Sequence, residues 1–160
     1  MDESSVKLTI RRSADAQSAL AIAKALPNSF DDAGIRHMEH DLQVDLLFGA
    51  YIEGRMIGFA TYKELNPKAV ELSWLGVLPE HQGQGVGSRL LGEGLAELDK
   101  GYEMCEVKTL SEIHPDPGYQ RTRAFYRRLG FIPLETISPY PGWGVESPCQ
   151  IFVRCLRCKT

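Results

Sequence analysis

The chain has 160 residues, 43% of them hydrophobic and 24% charged, a composition typical of one soluble globular domain. We therefore expect a single domain over residues 1–160. The first ten residues, MDESSVKLTI, lack the basic and apolar pattern of a secretory signal, so a cytoplasmic location is predicted. Apolar runs stay well below the roughly 20 residues that span a bilayer, which argues against a membrane partner. The net charge of -3 argues against nucleic acid as the main partner.

The cysteines and histidines do not have the spacing of metal ligands. Cys155 and Cys158 form a C-x-x-C pair, but no second pair lies at a distance that would complete a zinc site. The other cysteines are Cys105 and Cys149, and the histidines are His37, His40, His81 and His114. We expect no metal site and four ordinary reduced thiols.

Alternating apolar residues predict strands and apolar residues at helical spacing predict helices, in the order β α α β β β α β α β β. The predicted elements are a strand over Val6–Arg12, a helix from Ser13 to Pro27, a helix over Ile35–Gln43, strands over Val44–Ile52, Met56–Tyr62 and Ala69–Val77, a helix from Gly85 to Asp99, a strand over Tyr102–Leu110, a loop over Ser111–Gly118, a helix over Gln120–Leu129, and strands over Phe131–Ile137 and Gln150–Leu156. Ser13 is expected to cap the first helix and Gly130 to end the last one. This order indicates an α/β or α+β domain with a mixed sheet.

A glycine-rich turn follows the strand that ends at Val77. It reads Gln82-Gly83-Gln84-Gly85-Val86-Gly87 and opens a helix. The first N–H groups of a helix have no intrahelical partner, and the helix dipole adds positive charge there, so such a turn can bind phosphate. Glycine permits positive φ and a close approach of the backbone. The other interpretation is a tight turn that binds no ligand.

Three features resemble the GCN5-related N-acetyltransferase (GNAT) superfamily. Gln82-x-x-Gly85-x-Gly87 matches its Q/R-x-x-G-x-G/A pyrophosphate loop. The preceding strand ends in the Val-x-Pro-Glu sequence common at that join. Residues 122–131, TRAFYRRLGF, resemble the A-x-x-F-Y-x-x-x-G-F signature, with Thr122 in place of the alanine. Together with the element order, the likeness extends over essentially the whole chain.

The resemblance implies a fold and a co-substrate. The fold is a mixed, mainly antiparallel central sheet of about seven strands with splayed central strands, flanked by about four helices, and acetyl-CoA would lie in the gap. Backbone groups near the end of the first central strand would pair with pantetheine, and the amides of the glycine turn would hold the pyrophosphate. The cofactor-binding residues implied are Leu75, Val77, Gln82, Gly83, Gln84, Gly85, Val86, Gly87 and Ser88.

The resemblance also implies two catalytic residues. Tyr126 matches the tyrosine that protonates the departing thiolate, and Glu71 matches the strand glutamate that acts as general base in one branch. A core tyrosine and a salt-bridged or exposed glutamate are the structural alternatives, and Glu80 or Glu106 are other possible bases. Tyr119 stands where many members have an asparagine that contacts pantetheine.

The predicted function is N-acetyl transfer from acetyl-CoA to a primary amine by direct attack through a tetrahedral intermediate. The acceptor would be a small-molecule or peptide amine, and the protein a monomer or homodimer. Parts nominated to build the acceptor site are Phe30–His40, Ser111–Gly118 and Ser138–Pro148 with Tyr140 and Trp143. One alternative is a catalytically silent acyl-CoA-binding sensor or interaction module. Another is an S-adenosylmethionine methyltransferase, whose glycine turn would follow the first strand rather than the fourth.

Overall fold

The computed structural model describes residues 6–114 and 116–158. Within them lie seven strands and four α-helices in the order that the sequence predicts. Their bounds are β1 Leu8–Arg12, α1 Ala16–Lys24, α2 Asp32–Val44, β2 Leu46–Ile52, β3 Arg55–Asn66, β4 Ala69–Val77, α3 Val86–Leu98, β5 Met104–Leu110, α4 Pro117–Arg128, β6 Ile132–Ile137 and β7 Cys149–Cys155. A short 3-10 turn over Pro79–His81 follows β4. Within the described residues, every helix is too short or too polar to span a bilayer.

The strands form one mostly antiparallel sheet in the order β1-β2-β3-β4-β5-β7-β6, which confirms the predicted fold class. β4 and β5 are parallel, and their pairing joins Ala69–Leu72 to Met104–Val107. The pairs β1–β2, β2–β3, β5–β7 and β6–β7 are antiparallel. The splay of β4 and β5 after these pairs stays a prediction.

The chain divides into two compact units. The first comprises the described residues up to Glu64 together with Ser73–Glu97, and the second comprises Leu65–Leu72 and the described residues from Leu98 onward. That these units make one domain, as composition suggests, stays a prediction.

The first helix begins later than its predicted cap. Asp15, not Ser13, caps α1, because its carboxylate accepts the Ser18 N–H at 3.0 Å. The prediction for Ser13 is wrong because its hydroxyl lies 2.6 Å from the hydroxyl of Tyr51 and also accepts the Asp15 N–H. α1 buries one face, which includes Ala19 and Ala23.

Several elements extend beyond their predicted bounds, and β3 and α4 are among those that do so by three or more residues at one end. β3 continues to Asn66 rather than ending at Tyr62. Its last four residues are all exposed, so they lack the alternation of buried and exposed positions that predicts a strand. α4 begins at Pro117 rather than Gln120, since Asp116 caps it by accepting the Gly118 N–H at 2.8 Å. Proline fits the first turn of a helix, so the prediction that Pro117 and Gly118 lie in a loop is wrong.

Cys155 and Cys158 form a disulfide, so the prediction of reduced thiols is wrong for this pair. The chain turns directly after β7 and brings the two Cα atoms to 5.5 Å, a separation that a disulfide spans. Cys105 and Cys149 are free and buried, as expected of structural thiols.

Candidate functional site

The glycine turn of the first unit has the backbone conformation that its sequence predicts. Gly83 has φ 74 and Gly85 has φ 81, in the left-handed region that favours glycine. A Cβ atom added at either position would meet no atom within 4 Å. The conformation, rather than lack of room, therefore requires glycine here, and the exposed turn leaves space for a ligand beside its backbone.

The turn joins directly to the start of α3. The Gly85 carbonyl accepts the Arg89 N–H at 3.0 Å, which is the first bond of the helix. The N–H groups of Val86, Gly87 and Ser88 therefore belong to the first turn of the helix. No earlier helical carbonyl is available to accept hydrogen bonds from these N–H groups. Val86 is buried and anchors the start of the helix in the core. Ser88 is exposed, so the side of the first turn on which it lies is accessible to solvent and to a ligand.

Gln82 ties the turn to the end of β4. Its Nε2 donates to the Val77 carbonyl at 2.9 Å, while the next N–H, of Leu78, donates to Ile57 on β3 at 2.9 Å. The Val77 carbonyl therefore has a partner before any ligand binds. Leu75 and Val77 are half-buried. This side chain-to-backbone bond could not be read from the glycine pattern.

Gly58 on β3 is a further residue that supports the turn and that sequence reasoning missed. A Cβ atom there would lie 3.2 Å from the Gly76 carbonyl oxygen, 3.3 Å from Val77 and 3.6 Å from Val86. The bare backbone of β3 therefore lets the end of β4 and the start of α3 pack closely. A single glycine inside an apolar strand is the only sequence signal for such an approach.

Tyr126 lies in the aromatic core of the second unit. Its ring centroid is 5.5 Å from that of Phe125, 5.8 Å from Phe131 and 6.3 Å from Phe152. Only 7% of the residue is exposed. Burial raises the pKa of the Tyr126 phenol, and the neighbouring Cys105 thiol raises it further. The group therefore keeps its proton at neutral pH.

The end of α4 orients Tyr126. Gly130 has φ 87, its N–H donates to the Arg127 carbonyl at 3.1 Å, and the Phe131 N–H donates to the Tyr126 carbonyl at 3.1 Å. These two bonds form a Schellman motif, which confirms the predicted role of Gly130. The Y-x-x-x-G-F pattern is thus a helix ending that packs Phe131 on Tyr126.

Glu71 is part of a charged cluster in the second unit. Lys108 Nζ lies 3.0 Å from Glu71 Oε2 and 3.5 Å from Glu106 Oε1, and 5.4 Å from the ring centroid of Tyr140. Partial burial alone would lower the pKa of Lys108, but hydrogen bonds to Tyr140 and Glu71 and the charges of Glu71 and Glu106 together raise it. Lys108 was not among the predicted site residues, although alternation along β5 places it on the face of Glu106.

Glu80 belongs to the first unit. It is exposed in the 3-10 turn of the first unit, where its backbone carbonyl accepts Gln84 Nε2 at 3.3 Å. Among the three acids considered as a base, the second unit thus holds Glu71 and Glu106 together. Their roles, like that of Tyr126, stay predictions.

The parts nominated for the acceptor site lie in both units, and each contains aromatic or apolar groups. In the first unit, the rings of Phe30 and Trp74 are 6.0 Å apart, and Trp74 Nε1 donates to Asp41 Oδ2 at 2.7 Å. This places an aromatic pair beside a carboxylate on α2, a combination suited to a cationic group.

In the second unit, the two nominated loops line one depression of about 350 Å³. The Ser111 N–H holds them together by donating to the Pro148 carbonyl at 2.9 Å. The lining residues are Ile113, His114, Ser138, Val145, Glu146 and Pro148. Pro115 lies outside the described residues. Among those described, no group of three or more His, Cys, Asp or Glu side chains could hold a metal ion.

A family model and a sequence relative both identify the chain with acetyltransferases. The family model described as an acetyltransferase (GNAT) domain matches residues 43–133. The chain is 32% identical over 124 residues to the uncharacterized N-acetyltransferase YhbS of Escherichia coli strain K12, which covers 71% of this chain and 67% of that protein.

Solved structures agree on the fold. A structure described as an acetyltransferase of the GNAT family from Desulfovibrio desulfuricans superposes with a TM-score of 0.80 at 19% identity, covering 94% of this chain and 99% of the other. A GNAT family acetyltransferase from Elizabethkingia anophelis, solved with acetyl-CoA bound, gives 0.70 at 16% identity, covering 92% and 97%. The family model and the YhbS match carry the assignment beyond the fold: the chain belongs to the GNAT acetyltransferase family and is an acetyl-CoA-dependent acyltransferase.

Proposed function

We propose that the protein transfers the acetyl group of acetyl-CoA to a primary amine by direct attack through a tetrahedral intermediate. The observation that carries this proposal is the exposed turn in which Gly83 and Gly85 hold positive φ directly before the first amides of α3. Such a turn offers several backbone N–H groups to a diphosphate without any lysine, because the helix start supplies the positive field.

In the first unit, the amides from Gln82 to Ser88 bind the pyrophosphate, and the backbone of Leu75 and Val77 aligns the pantetheine. A strand amide near Val77 donates to the thioester oxygen as it becomes negative, which lowers the barrier for attack. The bond from Gln82 to the Val77 carbonyl supports this role, because it holds the end of the strand against the turn.

In the second unit, Glu71 accepts the proton that the acceptor ammonium must lose, and Tyr126 donates a proton to the departing thiolate. The raised pKa of Tyr126 supports the second role, since only a protonated phenol can donate. The partly exposed carboxylate of Glu71 supports the first.

The acceptor is a small-molecule or peptide amine. The carboxylate of Asp41 beside Trp74 supports a positively charged acceptor, because amines arrive protonated at neutral pH. Phe30–His40 and the two loops of the second unit are the segments we expect to contact it.

Thiol release from acetyl-CoA in the presence of a panel of amines and amino-terminal peptides tests the proposal. We expect at least one amine to release CoA thiol stoichiometrically with an acetylated product detected by mass spectrometry. A protein that fails to bind CoA would contradict the proposal. Binding of CoA without transfer to any amine would favour a silent acyl-CoA sensor.

A further inference from the structure

Two carboxylates and one ammonium form a compact group on neighbouring strands of the second unit. Glu71 on β4 stands directly opposite Glu106 on β5 in the parallel register. Lys108, two residues further along β5, reaches both carboxylates, at 3.0 and 3.5 Å. The three side chains are 16%, 24% and 23% exposed, so solvent screens their charges only partly.

Other titratable groups of the second unit lie around this cluster. Tyr140, from the loop before β7, places its ring 5.4 Å from Lys108 Nζ. The thiol of Cys149, at the start of β7, interacts electrostatically with Lys108, Glu71 and Glu106. The buried thiol of Cys105 on β5 interacts with Glu71, Glu106 and Arg154. Without Lys108 the two carboxylates would face each other across adjacent strands and repel.

From this geometry we infer that Lys108 is a positioning residue that holds the Glu71 carboxylate ready to accept a proton, while Glu106 keeps the Lys108 ammonium paired throughout. This inference rests on the proposed function and extends it. An N–H bond of the acceptor ammonium breaks and an O–H bond forms on Glu71, and the freed electron pair on nitrogen attacks the thioester. Glu71 becomes neutral and the Lys108–Glu106 pair remains, so no unpaired charge is left in the cluster.

A purely structural ion pair in the same unit provides the matched control. Lys68 Nζ lies 2.9 Å from Glu103 Oε1, but these side chains are 65% and 47% exposed, and neither belongs to the proposed site. Removal of the Lys68 charge should leave catalysis unchanged.

The dependence of kcat on pH should be measured for the wild type and for Lys108→Met, Lys108→Arg, Glu106→Gln and Lys68→Met. For Lys108→Met we expect kcat to fall about tenfold or more and the acidic limb of the profile to move to higher pH, because loss of an adjacent cation disfavours an ionised carboxylate. For Glu106→Gln the limb should move to lower pH, because a competing anion is removed. Lys108→Arg should restore most of the profile, and KM for acetyl-CoA should stay constant throughout.

Opposite shifts of the acidic limb in Lys108→Met and Glu106→Gln would distinguish a positioning role from a loss of stability. A variant that is only destabilised would have a lower kcat at every pH, with its acidic limb at the same pH. Equal profiles for Lys108→Met and Lys68→Met would overturn the inference. So would an unchanged profile in Glu71→Gln, because Glu71 would then not accept the proton.

A measurement that needs no acceptor amine tests the role of Lys108 separately from the proposed acetyl transfer. The ¹³C chemical shift of the Glu71 carboxylate at neutral pH, assigned with Glu71→Gln, should change in Lys108→Met, because the contact with Lys108 Nζ at 3.0 Å is lost, and Lys68→Met should not change it. An unmoved Glu71 signal in Lys108→Met overturns the inference even if the enzyme is active. Absence of thiol release with every amine overturns the proposed function whatever the Glu71 signal shows.

Discussion

The N–H of Phe131 donates to the carbonyl of Tyr126 at 3.1 Å, and their ring centroids lie 5.8 Å apart. Gly130, between them in the turn, has φ 87. The helix ending and the aromatic contact therefore reinforce each other, as in other Schellman motifs with a hydrophobic contact. This relationship orients the side chain to which we assign proton donation.

Gly130→Ala should lower the free energy of unfolding by about 1–2 kcal/mol, because an L-residue is strained in the left-handed region. Steric conflict adds little, since the nearest atom to an added Cβ is Arg154 Nε at 3.7 Å. Urea denaturation measures the change. Gly92→Ala, inside α3 with no atom within 4 Å, is the control and should raise stability by up to about 1 kcal/mol. Equal effects of the two substitutions would contradict the role of the glycine conformation.

Gly85→Ala should weaken CoA binding about tenfold or more, because its φ of 81 would be strained by a side chain and the first amides of α3 would turn away from the ligand. Isothermal titration with CoA measures the affinity. Gly101→Ala, also with open space around it but without a positive φ, should bind CoA normally. An unchanged affinity in Gly85→Ala would argue that the turn does not hold the pyrophosphate.

Gln82→Ala should raise KM for acetyl-CoA about fivefold with little change in kcat, the effect of losing one hydrogen bond of about 1 kcal/mol. The bond concerned is the one from Gln82 Nε2 to the Val77 carbonyl at 2.9 Å. Gln84→Ala removes a longer bond, 3.3 Å to the Glu80 carbonyl, and should have a smaller effect. Steady-state kinetics at varied acetyl-CoA concentration measures both KM values. A larger increase in KM for Gln84→Ala than for Gln82→Ala would contradict this prediction.

Tyr126 should stabilise the protein at neutral pH and lose this contribution in alkali. Because burial raises the pKa of the phenol above its unfolded value, the stabilisation is complete below the unfolded pKa of about 10 and declines as pH rises beyond it. The stability difference between the wild type and Tyr126→Phe should therefore shrink by up to about 1.4 kcal/mol per pH unit above that point. Thermal unfolding at pH 8 and pH 11 measures it. A constant difference would show that the phenol is not buried as described.

The free thiols should be unreactive in the native protein. Burial raises the pKa of Cys105 to about 12 and that of Cys149 to about 11, so little thiolate forms at pH 8. Ellman's reagent should label neither thiol in the native state, two thiols after unfolding, and four after unfolding with reduction, since Cys155 and Cys158 are paired. Rapid labelling of the native protein at pH 8 would contradict this burial.

Local sequence was enough to predict the order of elements, the turn at Gly83 and Gly85 and the helix ending at Gly130. Each depends on conformational preferences of a few consecutive residues, which act the same way wherever the segment lies. The cap of α1 was misplaced because Ser13 and Asp15 are both capable of capping a helix, and only the final backbone decides which of them does so. The start of α4 was misplaced because Pro117, which disfavours a helix interior, fits the first turn of a helix.

The fold alone decided the contacts between distant residues. Lys108 meets Glu71 across a sequence separation of 37, because parallel pairing sets β4 beside β5. Gln82 meets the Val77 carbonyl because the 3-10 turn folds the chain back. Such contacts depend on register and on chain direction, which hydropathy does not encode. Sequence patterns therefore indicated the backbone that we propose binds phosphate, while tertiary structure determined which charges surround the proposed base.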